Sequence, residues 1–199
     1  MTKLKNWIVS NPDLAFAILL SGCVYGYFAM TNEFFATHRT GFAIMERFAV
    51  LGLVGLALTL CIIAGEIDLS IGSNAALAAV ITVRFTDSLG APASLMIALI
   101  VSTMIGMVQG YFIAYLRVRA IVLTVGTLML LRGVALFAAE EKTVMLTDFR
   151  VPDFISTKML GYFSPASLLV IAMFILVALF MNFTKYGREI YAIGGARKE

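Results

Sequence analysis

Six long apolar stretches, with almost no charge inside them, limit what this chain can fold into more than any other feature. They are Leu14–Met30, Phe48–Ala64, Ile71–Phe85, Ala93–Leu116, Ile121–Ala139 and Pro165–Phe183. A helix that crosses the hydrocarbon core of a bilayer needs about 20 mostly apolar residues. Each stretch comes near that length. Each predicts a helix, because an open strand in lipid would leave its backbone N–H and C=O groups without partners. Composition closes the other routes. Hydrophobic residues make up 61% of the 199 and charged residues 14%, against about 45–50% and about 25% for an ordinary soluble domain. One small core does not hide that much apolar surface from water, and a disordered segment needs the opposite balance. A soluble enzyme is excluded on the same ground. The chain reads as an all-α, polytopic membrane helix bundle with six spans, one transmembrane domain over residues 1–199.

The net charge of +3 and the scatter of 15 Lys and Arg residues leave no footprint for nucleic acid. Cys23 and Cys61 lie inside apolar stretches. They offer neither a disulfide framework nor metal-ligand spacing and read as small buried hydrophobes. Lys3 and Lys5 precede an apolar run, as in a signal peptide, but Leu14–Met30 is long and no clear small-residue cleavage pattern follows it. It reads as a retained first span.

Orientation follows from the basic residues that flank the spans. With six spans both ends share a side. That side holds Lys3, Lys5, Arg117, Arg119, Lys185, Arg188, Arg197 and Lys198, and the other holds Arg39, Arg47, Arg84, Lys142, Arg150 and Lys158. Eight against six, with Arg117 and Arg119 crowding one short loop, places both ends in the cytoplasm.

A few polar residues interrupt the apolar pattern. Glu66 and Asp68 lie in the brief segment Gly65-Glu66-Ile67-Asp68-Leu69-Ser70, between the second and third spans. Ionisable groups at membrane depth mark pathways or pairing sites, and broken hydrophobic segments mark transporter sites. The segment also suits a solvated loop in which Asp68 or Ser70 caps the next helix. Arg132 falls mid-span and calls for an acceptor, either a structural ion pair or a solute. Ser102, Gly106, Gly110 and Ala114 recur every four residues, a close-packing stripe with Gln109 beside it, and Gly133 adjoins Arg132. Thr124 and Thr127 share a helix face, where they either line a path or bond back to their own carbonyls.

Enzyme constellations are missing from this sequence. Ser-Gly occurs only at Ser21-Gly22, the single histidine is His38, and there is neither a paired-His zinc motif nor a phosphate loop with its Lys. No metal and no cofactor is expected, and ATP hydrolysis belongs to another chain.

Three blocks resemble one family. Gly65-Glu66-Ile67-Asp68-Leu69-Ser70-Ile71-Gly72-Ser73 resembles the Gly-Gly-Ile-Asp-Leu-Ser-Val-Gly-Ser segment of ribose-type permeases of bacterial ABC sugar importers. Gln109-Gly110 through Leu116-Arg117-Val118, then Thr124-Val125-Gly126-Thr127 and Arg132-Gly133, is similar to the family stretch Asn-Gly … Leu-x-Val … Thr-Leu-Gly-Thr … Arg-Gly. Lys185-Tyr186-Gly187-Arg188 and Tyr191-Ala192-Ile193-Gly194-Gly195 are similar to its Phe-Gly-Arg … Tyr-Ala-Ile-Gly-Gly-Asn. The group includes ribose, xylose, galactose, rhamnose and autoinducer-2 permeases. Glu66, Gln109, Arg119, Ala120 and Ala196 depart from the pattern and leave the sugar open.

The resemblance implies a permease subunit of an ATP-driven importer. Its partners are a second permease subunit, cytoplasmic ATP-binding subunits and a periplasmic sugar-binding protein, and its location is the bacterial inner membrane. It implies that Tyr186, Gly187, Arg188, Tyr191, Gly194 and Gly195 lead into the ATPase-docking region. Family members continue with further helices past the Gly-Gly segment, so a C-terminally truncated chain is expected. Ser70, Asn74, Gln109, Thr124 and Thr127 are neutral polar groups suited to a neutral sugar, with Glu66, Asp68 and Arg132 completing the candidate pathway. Two alternatives are a small six-helix substrate-capture subunit of a vitamin importer and a non-transport membrane enzyme.

Overall fold

A computed structural model describes residues 9–145, 149–159 and 161–196. Its helices are α1 (Pro12–Thr31), α2 (His38–Ile63), α3 (Ile71–Leu89), α4 (Ala91–Ala114), α5 (Ala120–Ala138), α6 (Arg150–Ile155), α7 (Pro165–Phe183) and α8 (Lys185–Ala196). All six apolar stretches are helical. Five helices, α1, α2, α4, α5 and α7, are long and apolar enough to cross a membrane.

The third stretch is the exception. Expected to end at Phe85, it continues as α3 through Asp87 to Leu89. Its polar residues exclude it from the apolar set, yet it is the central helix of its group and packs against both α4 and α5. The second stretch also grows. The helix begins at His38 rather than near Phe48, because the Thr37 side chain accepts from the Thr40 N–H and caps it. Arg39, Glu46 and Arg47 in its first turns hid those turns from an apolar-run search.

Helix ends follow local chemistry. Gly90, at φ +81°, closes α3 and opens α4, with a proline in the first turn of α4, where its missing N–H is no loss. Thr86 and Ser94 bond across that hairpin at 3.0 Å, both buried. Ser164 and Ser167 form a reciprocal capping box at the start of α7.

The helices fall into two groups. In one, α3 lies against α4 and α5; in the other, α2 lies against α7, which leads into α8. A thinner contact between α2 and α3 joins them. Leu77, Leu131 and Ala135 form the core of the first group, with Val80, Ile81 and Ile105 around them. Phe48 stacks on Phe174 in the second, ring centroids 5.8 Å apart. α1 contributes no buried residue.

Two faces result. The 65–70 segment, the 115–119 link and α8 share one end of the bundle, because Gly194 of α8 seats on the carbonyl of Ile63 at the end of α2. The described parts of the 139–164 connection lie at the other end. There Arg84 pairs with Glu140, Lys142 lies 3.9 Å from the same carboxylate, and Tyr162 meets His38 at 4.7 Å. Arg84 and Lys142, assigned to one side from sequence, do share a face.

The accessible surface is 14652 Å², against about 9,200 Å² for a compact soluble chain of this mass. The excess is carried by exposed Leu, Ile, Val, Met and Phe on helix faces.

Candidate functional site

The interrupted segment is built from the end of α2 onward. Gly65 takes φ +79°, its N–H bonds to the Ile62 carbonyl, and the Glu66 N–H reaches the Cys61 carbonyl, both at 2.9 Å. This is a Schellman ending, and it needs a residue free to adopt the left-handed conformation. The chain then turns back toward the bundle. Asp68 Oδ1 accepts from both the N–H and the hydroxyl of Ser70, each at 2.7 Å. Neither side chain caps α3 in the expected way. Ser70 occupies the N-cap position without a side-chain cap bond, and Asp68 spends its oxygen on Ser70. The short reach from Asp68 to a residue two positions on is an Asx-type turn, which competes with capping.

Two neighbouring helices grip this turn. Gln109 Nε2 of α4 donates to Ser70 Oγ at 2.8 Å. Thr124 Oγ1 of α5 lies 3.5 Å from the Ile67 carbonyl and 3.4 Å from its own Ile121 carbonyl. Ser70 and Thr124 are 1% exposed and Gln109 is 7% exposed. Buried polar groups require such partners. In lipid, helix-to-helix side-chain bonds contribute about 0.6 kcal/mol on average and up to about 1.7. Ser70, Gln109 and Thr124, with half-buried Asp68, therefore form a clamp across three helices.

One turn further in, Asn74 Nδ2 donates to the Ser102 carbonyl at 3.4 Å, while its Oδ1 is buried with no bond partner among the described residues. Thr127 bonds back to the Leu123 carbonyl at 2.9 Å, and its side chain borders an apolar cleft of about 480 Å³ between α4 and α5.

Arg132 stands apart from the clamp. It is exposed, and the ion pair expected for it is not found among the described residues. It lines a cleft of about 730 Å³ between α3 and α5, together with Leu69, Gly72, Ser73, Met129 and Gly133. Glu66 lies in a larger cleft of about 950 Å³ at the α8 end, with Arg117 and Arg119. The sequence-predicted site residues thus divide among a clamp, a deeper acceptor and separate clefts.

The small-residue stripe is placed differently from its expected packing role. No neighbour lies within 4 Å of where a Cβ would stand at Gly106, Gly110 or Gly133. Within this chain that role falls to Gly187 and Gly194. A Cβ at Gly187 would collide with the Met181 backbone, and one at Gly194 with the Ile63 carbonyl oxygen. Both face the bundle, whereas Tyr186, Arg188 and Tyr191 face outward and Gly195 has open space. Sequence reasoning missed buried Ser73, Thr86, Ser94, Ser164 and Ser167. For the last two, a Ser-x-x-Ser pattern around Pro165 was the available signal.

Comparison with known proteins decides the family. Residues 41–198 match the family described as branched-chain amino acid transport system / permease component. The chain belongs to that family. Its members are transporter permease subunits and not enzymes, which removes the membrane-enzyme alternative. The autoinducer 2 import system permease protein LsrC of Salmonella typhi is 28% identical over 200 residues, covering 96% of this chain and 56% of that protein. The protein of the same name from Photorhabdus luminescens is 27% identical, covering 96% and 59%. The inner membrane ABC transporter permease protein YjfF of Escherichia coli strain K12 is 28% identical, covering 92% and 57%. The chain spans a little over half the length of these curated relatives. No solved structure matches it.

Proposed function

We propose that this chain forms part of the translocation pathway of an ATP-driven importer in the bacterial inner membrane. Its cargo is a small neutral sugar, polyol or autoinducer-2-like solute. The family match over residues 41–198 is the observation that carries this reading, and the names of the LsrC relatives support the solute class. Residues 1–199 act as one permease domain beside a second permease subunit, identical or paralogous. Cytoplasmic ATP-binding subunits hydrolyse ATP, and a periplasmic binding protein delivers the solute. The α8 end faces the cytoplasm with both chain ends, and the 140–164 connection faces the periplasm, in keeping with the basic residues of the short 115–119 link. Tyr186, Arg188 and Tyr191 present the ATPase-docking surface, Gly187 and Gly194 seat the helix behind it, and Gly195 ends that surface.

Within the bundle the roles separate. Asp68, Ser70, Gln109 and Thr124 hold the interrupted segment in place, with Glu66 at its entry. Arg132 faces the solute from the cleft between α3 and α5, while Asn74 and Thr127 are polar groups on separate surfaces along the pathway. An unpaired Arg at mid-span is disfavoured by about 2.5–3.5 kcal/mol on insertion scales. A cleft that keeps hydroxyl oxygens or water against the guanidinium relieves that penalty, and its planar fork of donors suits adjacent sugar hydroxyls.

The test is uptake of labelled ribose or autoinducer-2 by the assembled transporter. Arg132→Gln is expected to lower uptake at least tenfold at unchanged membrane abundance; unchanged uptake removes Arg132 from the pathway. Orientation is tested by impermeant thiol labelling from outside the cell. Arg150→Cys should label and Val118→Cys should not, and the reverse pattern inverts the assignment.

A further inference from the structure

The cleft at the α8 end has a chemistry that the transport reading does not use. It opens beside the ends of α2, α4 and α5, measures about 950 Å³, and is lined by Arg117, Arg119 and Glu66 over apolar walls that include Ile113, Ile121 and Val122. Arg117 and Arg119 are exposed, and neither forms an ion pair among the described residues. The link that carries them is tightly shaped. Arg117 sits at φ +54°, which non-glycine residues rarely adopt, and the next N–H closes onto the Phe112 carbonyl at 3.2 Å. No side chain caps the start of α5, so its first N–H groups point the positive end of the helix toward the same region.

The apolar part is equally specific. Ile121 is 53% exposed and Val122 66% exposed, and both continue from the cleft onto the outer face of a membrane-crossing helix. Tyr111 and Tyr115, at the end of α4, lie tilted against each other with ring centroids 5.2 Å apart, both exposed. Tyrosines on such a helix end mark the level of the lipid headgroups. A soluble anion would use the guanidiniums and leave the apolar walls empty, whereas an anionic phospholipid uses both.

We infer that this cleft binds an anionic phospholipid, with the phosphodiester held by Arg117 and Arg119 and an acyl chain running along Ile121 and Val122. Basic pockets between membrane helices recognise lipid headgroups in this way. Glu66, also in the lining, limits the affinity for an anionic headgroup. The inference stands independently of the transported solute.

The experiment is native mass spectrometry of the purified 199-residue chain in detergent, titrated with phosphatidylglycerol or with phosphatidylcholine of the same acyl chains. Phosphatidylglycerol occupancy is expected to exceed that of phosphatidylcholine at least fivefold. It should fall to the phosphatidylcholine level in Arg117→Gln/Arg119→Gln and persist in Arg117→Lys/Arg119→Lys. Arg39→Gln, at the other end of the bundle, should leave it unchanged. Glycerol 1-phosphate in tenfold excess should not displace the lipid. Equal occupancy by the two lipids in the unmutated chain overturns the inference, whether or not the variants fold. Displacement by glycerol 1-phosphate also overturns it, because the site is then one for soluble phosphate.

Discussion

Between α3, α4 and α5 the distinctive contacts are polar: Gln109 to Ser70 and Thr86 to Ser94, both buried, with Asp68 holding Ser70 from the preceding turn. Between α2, α7 and α8 they are close backbone approaches at glycine and stacked rings: Gly194 on Ile63, Gly187 on Met181, Phe48 on Phe174. The difference reflects what each group must hold. The first contains an interrupted, polar segment whose backbone groups need partners that lipid does not supply. The second only has to bring the short α8 against continuous helices, and removing a Cβ achieves that without any polar group.

The largest effect should come from filling the space at Gly194. Overpacking typically costs about 1–3 kcal/mol and more where backbone blocks the way. Gly194→Leu is expected to unseat α8, so that protease cuts within residues 185–196 far faster while α3–α5 keep their stability. Unchanged protection would show that α8 does not rest on Ile63.

Next comes the clamp. Ser70→Ala leaves the Gln109 amide buried without its partner, a loss of about 1–3 kcal/mol. A double-mutant cycle with Gln109→Leu should return a coupling of about 0.6–1.7 kcal/mol. Zero coupling in thermal or chemical unfolding would mean the two helices are held by apolar packing alone.

A smaller effect is expected at the opposite face. The Arg84–Glu140 pair is solvent-exposed on both sides, so Arg84→Gln should cost about 0–1 kcal/mol and lose even that at high salt. A salt-independent loss would point instead to the Arg84 Nε bond to the Ala138 carbonyl.

The smallest effect is the sharpest contrast to Gly194. Nothing lies within 4 Å of where a Cβ would stand at Gly106 or Gly110, so Gly106→Ala should cost this chain no more than about 0.5 kcal/mol and, by helix propensity, gain up to about 1 kcal/mol. A larger loss in unfolding measurements would place a packed surface where the structure shows open space.

Span positions were legible because lipid demands apolar runs of fixed length. Pro165–Phe183 agrees at both ends, and the stretches for α1, α4 and α5 agree within two residues. The early turns of α2 and the last turn of α3 were not, because Arg39, Arg47 and Asp87 sit on helical backbone beyond the apolar signal. Within the site, Gln109 and Thr124 stood out as polar residues in apolar surroundings, and the break at Gly65–Ser70 was legible in the sequence. That Asp68 turns back onto Ser70 instead of capping α3 was not, since Asx turns and caps draw on the same residue types. The glycines show the limit most plainly. Sequence by itself determined the membrane-helix class and the family, through apolar run length and ordered motifs. It marked Gly106, Gly110, Gly187 and Gly194 alike as sites of close approach or docking. Only the tertiary structure decided which of them touch backbone, because a glycine removes a Cβ at every position but gains contact only where another chain segment arrives to use the space.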